Sequence, residues 1–119
     1  MIILHGMKKN YWISHCNDAQ YGFDDIKKNG FIHCSTIAYF WRVVHHFNEP
    51  NTEYVIICID TDKVLADIKW EDCESNIGRY YPHIYGVINI DAIINVLPLF
   101  IDEEGNFIKN QEFIEYESE

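Results

Sequence analysis

The chain has 119 residues, 48% of them apolar and 15% aromatic, with 19 acidic against nine basic side chains and a formal net charge of −10. This length fits one domain with one core, and this apolar content excludes a disordered chain. So acidic a surface repels phosphate backbones, which disfavours non-specific nucleic-acid binding but leaves room for a small phosphate-bearing ligand in a local pocket.

No stretch is long and apolar enough to span a bilayer, and the start Met1-Ile2-Ile3-Leu4-His5 has neither a basic segment nor a cleavage pattern. The expected location is cytoplasmic. The four cysteines, Cys16, Cys34, Cys58 and Cys73, form no Cys-x-x-Cys pair. A zinc ribbon or redox motif is therefore not expected, and all four read as reduced thiols.

Residues 2–4 read as a first strand ending at His5. Residues 8–16 carry one or two helical turns, with Trp12 and Ile13 as inward anchors and a solvated His15. Residues 23–28 give a helical turn that Asn29-Gly30 stops. In Gly30-Phe31-Ile32-His33-Cys34-Ser35-Thr36, the residues Phe31, Ile32 and Cys34 make a short buried strand. Ser35 or Thr36 then caps the next helix. A histidine just before such a corner is fixed in position and can still face a cleft, although a lone histidine there is more often a bonded core residue.

Residues 36–48 read as the main helix. Ile37, Phe40, Trp41, Val44 and Phe47 or Asn48 recur at three- and four-residue spacing. His45 and His46 fall at its solvated end, where an adjacent pair points two ways round a helix and makes no one-faced metal site. Tyr54–Asp60 is a nearly continuous apolar run rich in β-branched residues and reads as a central strand covered on both faces. Residues 64–70 return as a strand, and residues 73–79 form a loop. In residues 80–86, Pro82 argues for an irregular aromatic segment rather than a regular strand. Asn89 or Asp91 opens a helical turn through Ile94. Residues 96–101 make an edge strand because they include Pro98, and Glu104-Gly105-Asn106 turns a hairpin towards Phe107. The domain is expected over residues 1–110, followed by an acidic tail, residues 111–119, that packs loosely or frays.

Three single histidines, His5, His33 and His83, each stand at or near a short apolar or aromatic segment, and Trp70-Glu71 ends another. Brought together in one sheet, they supply imidazoles as acids or bases, a carboxylate, and aromatic walls for a flat ring. No close histidine pair anchors a zinc site, so no metal is expected. Cys34 adjoins His33, but successive strand residues face opposite ways, so this thiol reads as packing rather than as a nucleophile. No glycine-rich phosphate loop is present.

The segments Gly30-Phe31-Ile32-His33-Cys34-Ser35-Thr36, Lys69-Trp70-Glu71-Asp72 and Tyr81-Pro82-His83-Ile84-Tyr85-Gly86 closely resemble the small bacterial family called domain of unknown function 952. Leu4-His5, Trp12 and Ile59-Asp60 fit the same pattern. The resemblance implies an α+β, ADP-ribosyltransferase-like fold: a single small domain of two short mixed or antiparallel sheets with one main helix, facing a nicotinamide-nucleotide cleft. It implies His5 as the ribose-holding histidine, with His33 and Ser35 on the second pocket strand. It places Tyr85, Tyr81 or Trp70 to stack a ring, and makes Glu71 a candidate for the acidic role. With His83, the expected catalytic set is His5, His33, Glu71 and His83, and the expected ligand-binding set is Ser35, Trp70, Tyr81 and Tyr85. Only Arg42 and Arg79 are available to a pyrophosphate, which departs from the arginine-rich phosphotransferase pattern. The implied function is a pocket for a nucleotide-type ligand of ADP-ribose or NAD class, of transferase type. The alternative is a non-catalytic small-ligand or protein-binding module. The sequence identifies no cofactor.

Overall fold

Val55-Ile56-Ile57-Cys58-Ile59 is apolar on both faces of an extended chain, and the fold buries it on both. In this computed structural model, which describes residues 1–72 and 78–117, the run is the centre of strand β5 (Tyr54–Asp60). It pairs antiparallel with β1 (Ile2–Lys8) on one side and with β9 (Ile93–Pro98) on the other. A short β4 (Ser35–Thr36) closes the far edge, in the order β4-β1-β5-β9. Pro98 lies on the edge strand, where its missing N–H costs the ladder least.

One face of this sheet presents Ile3, Met7, Ile57 and Ile59. It packs on Ile32 and Ile84 of a second antiparallel sheet, β3 (Ile32–His33), β7 (Tyr81–Tyr85) and β6 (Asp67–Glu71), in the order β3-β7-β6. Tyr21 of β2 (Gln20–Tyr21) and Ile88 of β8 (Ile88–Asn89), which pair with each other, join the same core. Helix α1 (Lys9–His15) adds Tyr11 and Trp12, and helix α2 (Phe23–Asn29) adds Ile26. The other face presents Leu4, Ile56 and Cys58 to Ile37, Phe40, Val44 and Phe113. Among the described residues the architecture is α+β, with several antiparallel sheets and three α-helices.

Several expectations need correction. The main helix over residues 36–48 is replaced by two 3-10 turns, Phe40–Arg42 and Val44–His46. The segment Thr36-Ile37-Ala38-Tyr39-Phe40-Trp41-Arg42-Val43-Val44 is mostly β-branched and aromatic, and such side chains lose rotamer freedom against the preceding turn of an α-helix. Tighter i→i+3 bonds form instead, from Val43 N–H to the Phe40 carbonyl (3.0 Å) and from Phe47 N–H to the Val44 carbonyl (3.0 Å). Ile37, Phe40 and Val44 are buried as the spacing predicts, but Trp41 is 57% exposed. Ser35 and Thr36 pair with β1 rather than capping a helix, although the Thr36 hydroxyl still accepts the Tyr39 N–H at 3.2 Å.

Ile13 is 57% exposed, so Tyr11 and Trp12 anchor α1 in its place. Residues 81–85 form a regular strand despite Pro82. The Pro82 carbonyl accepts the Cys34 N–H at 3.0 Å, so the missing Pro82 donor faces the β3 side and the ladder to β6 is untouched. The two-sheet, one-helix layout also gives way. Besides the two main sheets there are two short strand pairs, one of them β2-β8 and the other β10 (Phe100–Ile101) with β11 (Phe107–Ile108). The latter hairpin turns where expected, with Asp102 Oδ1 accepting the Glu104 and Asn106 N–H groups.

The acidic tail does not fray over its described length. Residues Gln111–Glu117 form helix α3, and Phe113 is 0% exposed. The expected loop over residues 73–79 lies mostly outside the described residues, as does the Cys73 thiol. Among the described residues, no helix is long and apolar enough to cross a membrane.

Candidate functional site

The chain changes sheets at Cys34. His33 pairs with His83 in the β3-β7-β6 sheet, and Ser35, two residues on, pairs with Leu4 in the other. This crossing brings three distant segments to one seam. A cleft of about 550 Å³ opens there. Its polar lining is His5, His33, His46, His83, Ser35 and Tyr81. Its apolar lining includes Leu4, Phe40, Val43 and Phe47. Gly6 belongs to it for lack of a side chain, since a Cβ there would stand 2.6 Å from Cζ of Phe47.

His5 is tied down at both ring nitrogens. Nδ1 donates to the His33 carbonyl at 2.5 Å, and Nε2 lies 3.3 Å from Asp25 Oδ2, an ion-pair contact rather than an aligned hydrogen bond. Burial pushes the Asp25 carboxyl up, but the His5 ring beside it outweighs this, with help from His33 and Lys28, and holds it below the usual range.

His83 is 2% exposed, with Phe31 stacked on it at 4.3 Å and 22°. Its Nδ1 is 2.9 Å from Glu71 Oε1, and the Tyr85 hydroxyl donates to the same oxygen at 2.6 Å. The Tyr85 bond first, then the His83 bond, hold the Glu71 carboxyl below its ordinary value. The ring of His33 reaches solvent and sits edge-on to His83, with centroids 5.0 Å apart. Partial burial first, then the His83 and His5 rings, hold its pKa below the ordinary histidine value, while Asp25 pulls the other way.

Of the residues expected to form a site, His5, His33, His83, Ser35 and Tyr81 line the cleft directly. Glu71 and Tyr85 join it through His83. Trp70 does not. It pairs in register with Pro82, whereas its neighbours Lys69 and Glu71 pair with His83 and Tyr81 on the opposite face of the sheet. The Ser35 hydroxyl donates to the Thr36 carbonyl at 2.8 Å. Two contributors were not anticipated: His46 and the His83-stacking ring of Phe31. Period three, the repeat of a 3-10 turn, aligns Phe40, Val43 and His46, and all three line the cleft. The rings of His45 and His46 lie 4.1 Å apart rather than pointing two ways. Among the described residues, no group of three or more His, Cys, Asp or Glu side chains is arranged to hold a metal ion.

The Cys34 thiol is buried in the core, which pushes its pKa far up, with Asp25 adding to the effect. Burial likewise pushes Cys58 up to about 12. Iodoacetamide is therefore expected to modify Cys16 in the native protein and to spare Cys34 and Cys58 until denaturant is added, as read by peptide mass spectrometry. Native labelling of Cys34 would contradict the burial described.

The family model "Protein of unknown function (DUF952)" matches residues 7–96. The chain belongs to this family. All the cleft-lining residues except Leu4, His5 and Gly6 fall within the matched DUF952 segment. No curated protein matches the chain. The DUF952 fold seen here is similar to that of protein CC0527 from Caulobacter crescentus. Its X-ray crystal structure gives a TM-score of 0.78 at 18% identity, covering 96% of this chain and 99% of that one. The solution NMR structure of CC0527 gives 0.68 at 20% identity, covering 88% and 90%. At such identities the likeness shows the fold alone.

Proposed function

We propose that the cleft binds a small nucleotide-type ligand of ADP-ribose or NAD class, and that its enzymatic form is a transfer reaction served by His33 and His83. One observation carries this reading: histidines from four separate segments, with Ser35 and Tyr81, converge on one cleft of about 550 Å³. That volume suits a ligand of this size. His33 reaches solvent, so its ring can exchange a proton between the medium and the bound ligand. His83, oriented by Glu71, is the second imidazole. The Tyr81 ring offers a stacking surface. An ADP-ribosyltransferase-like relationship, implied by the family resemblance, belongs to this reading. So does a cytoplasmic setting, in keeping with the free thiols of Cys16, Cys34 and Cys58.

A non-catalytic ligand-binding module is the second reading, and a specific observation favours it. Both ring nitrogens of His5 and the hydroxyl of Ser35 are committed to protein atoms, so two residues expected to act on a ligand instead brace the seam.

The test is a thermal-shift titration with ADP-ribose and with NAD, run on the parent and on His33→Ala. A ligand at a hundredfold excess over its Kd stabilises the folded state by about 2.7 kcal/mol, a rise in Tm on the order of 10 °C for a chain of this size. The parent is expected to show that rise. His33→Ala, which exchanges a solvent-reaching ring, is expected to melt near the parent and lose most of the shift. Parent shifts without release of nicotinamide from NAD would favour the binding module. No shift with either nucleotide would sink both forms of the reading.

A further inference from the structure

The cleft is unusual in what its lining omits. None of the nine Lys and Arg side chains lines it, and the residues outside the described set, 73–77 and 118–119, contain no Lys or Arg. Two cations on neighbouring elements are turned to aromatic rings: Lys69, cross-strand from His83, lies over Tyr85 at 4.6 Å, and Arg42, beside Val43, lies over Trp41 at 5.2 Å. Among the described residues, no carboxylate lines the cleft either. Asp25 and Glu71 stand behind His5 and His83. Four imidazoles are left to meet a charged ligand.

We propose that the cleft holds the anionic part of its ligand against an imidazolium formed on His33, so that anion and proton bind together. This rests on the nucleotide reading above and names the pyrophosphate of an ADP-ribose-class ligand as the group recognised.

His33 is singled out by its neighbours. His5 on β1 faces Asp25 of α2, and His83 on β7 faces Glu71 of β6, so a cationic form of either ring already has a carboxylate beside it. The ring of His33 packs against Phe31 and His83. The imidazoles of His83, His5 and His46 all oppose its proton, and Asp25 favours it. An anion in the cleft reverses that balance. The empty site therefore holds a neutral His33 at pH 7, and ligand entry takes a proton from solvent. Affinity rises as the pH falls from 8 towards the pKa of free His33, by up to about tenfold per pH unit for one linked proton, and then levels off.

Isothermal titration calorimetry in two buffers of different ionisation enthalpy reads the proton directly. The probes are ADP-ribose, sulfate, which stays doubly charged over this range, and neutral adenosine. At about pH 7, ADP-ribose is expected to bind with net proton uptake, and at about pH 6.5 with several-fold higher affinity than at about pH 8. Sulfate should compete with it, more strongly at the lower pH, and adenosine should bind with no uptake. His33→Asn, with the circular dichroism of the parent, should bind ADP-ribose more weakly and lose both the uptake and the pH dependence.

ADP-ribose binding with no proton uptake and a constant Kd would overturn this inference and leave the nucleotide site standing. Sulfate binding with uptake, while ADP-ribose does not bind, would uphold the imidazolium anion site and overturn the nucleotide reading. Full uptake retained in His33→Asn would overturn the assignment to His33. No binding by any probe at any of these pH values would overturn both proposals.

Discussion

Phe113→Ala is expected to lower the unfolding free energy by about 3–5 kcal/mol, a large fraction of what a domain of this size has. The ring is 0% exposed and packs with Leu4, Phe40, Ile56 and Leu97 on the outer face of the main sheet, 6.1 Å from the Phe107 ring. It does more than fill space. Helix α3 has seven residues, carries Glu112, Glu115 and Glu117, and has no basic residue in its last turn to meet the helix dipole. So short a helix does not hold in water on its own. Docking of Phe113 holds it, with the Asn110 side chain donating to the Pro98 carbonyl at 3.1 Å just before it. Phe113→Ala should therefore shift the urea midpoint strongly and expose residues 111–117 to protease. Ile114→Ala, one residue on but 48% exposed, should stay within about 0.5 kcal/mol of the parent. Equal midpoints for the two variants would mean that α3 is not part of the core.

That prediction could not have come from the tail's composition. Acidic residues report the solvent face of an element, whereas the burial of one ring among them depends on what lies across from it. The readable elements were those whose signal is local. Val55-Ile56-Ile57-Cys58-Ile59 is apolar at every position, the pattern of a strand covered on both faces. Pro98 marks an edge, and Asp102 with Gly105 marks a hairpin turn. The segment from Thr36 to Asn48 misleads because Ile37, Phe40 and Val44 satisfy an α-helical period and are buried together, although the backbone there turns by 3-10 bonds. Only Val43 and His46 tell the two apart, and they reach the cleft. Pro82 misleads in another way: proline disrupts a ladder only on the side its nitrogen faces, and that side depends on the pairing.

The site was legible as a set of chemically able side chains but not as a geometry. His5, His33 and His83 are conspicuous singly, and their convergence depends on the sheet change at Cys34. Strand alternation already separates Trp70 from Glu71, since adjacent strand residues point to opposite faces of their sheet. The structure keeps Glu71 on the His83 side.

His83→Ala is expected to cost about 2–4 kcal/mol and to abolish ligand binding at the cleft. The stability loss has two parts. A ring only 2% exposed leaves a void beside Phe31, and Glu71 loses one of its two donors. His83→Phe separates them, because it can restore the stack on Phe31 but offers no nitrogen to Glu71. It should recover much of the stability and none of the binding. The acid side of the stability profile isolates the carboxylate. Glu71 titrates below its ordinary value of 4.5 in the folded protein, so its contribution is complete above that pH and is lost as the pH falls through the folded-state value. Both His83 variants should show a shallower loss below that point than the parent. The change should be partial, because the Tyr85 hydroxyl, the larger of the two influences, remains. Glu71 is 40% exposed, so the effect is small beside the packing loss, and it is resolved by comparing urea midpoints on either side of pH 4.5. Unchanged acid limbs in both variants would mean that Tyr85 alone sets the Glu71 carboxylate, and that His83 is placed by Phe31 rather than by its acid.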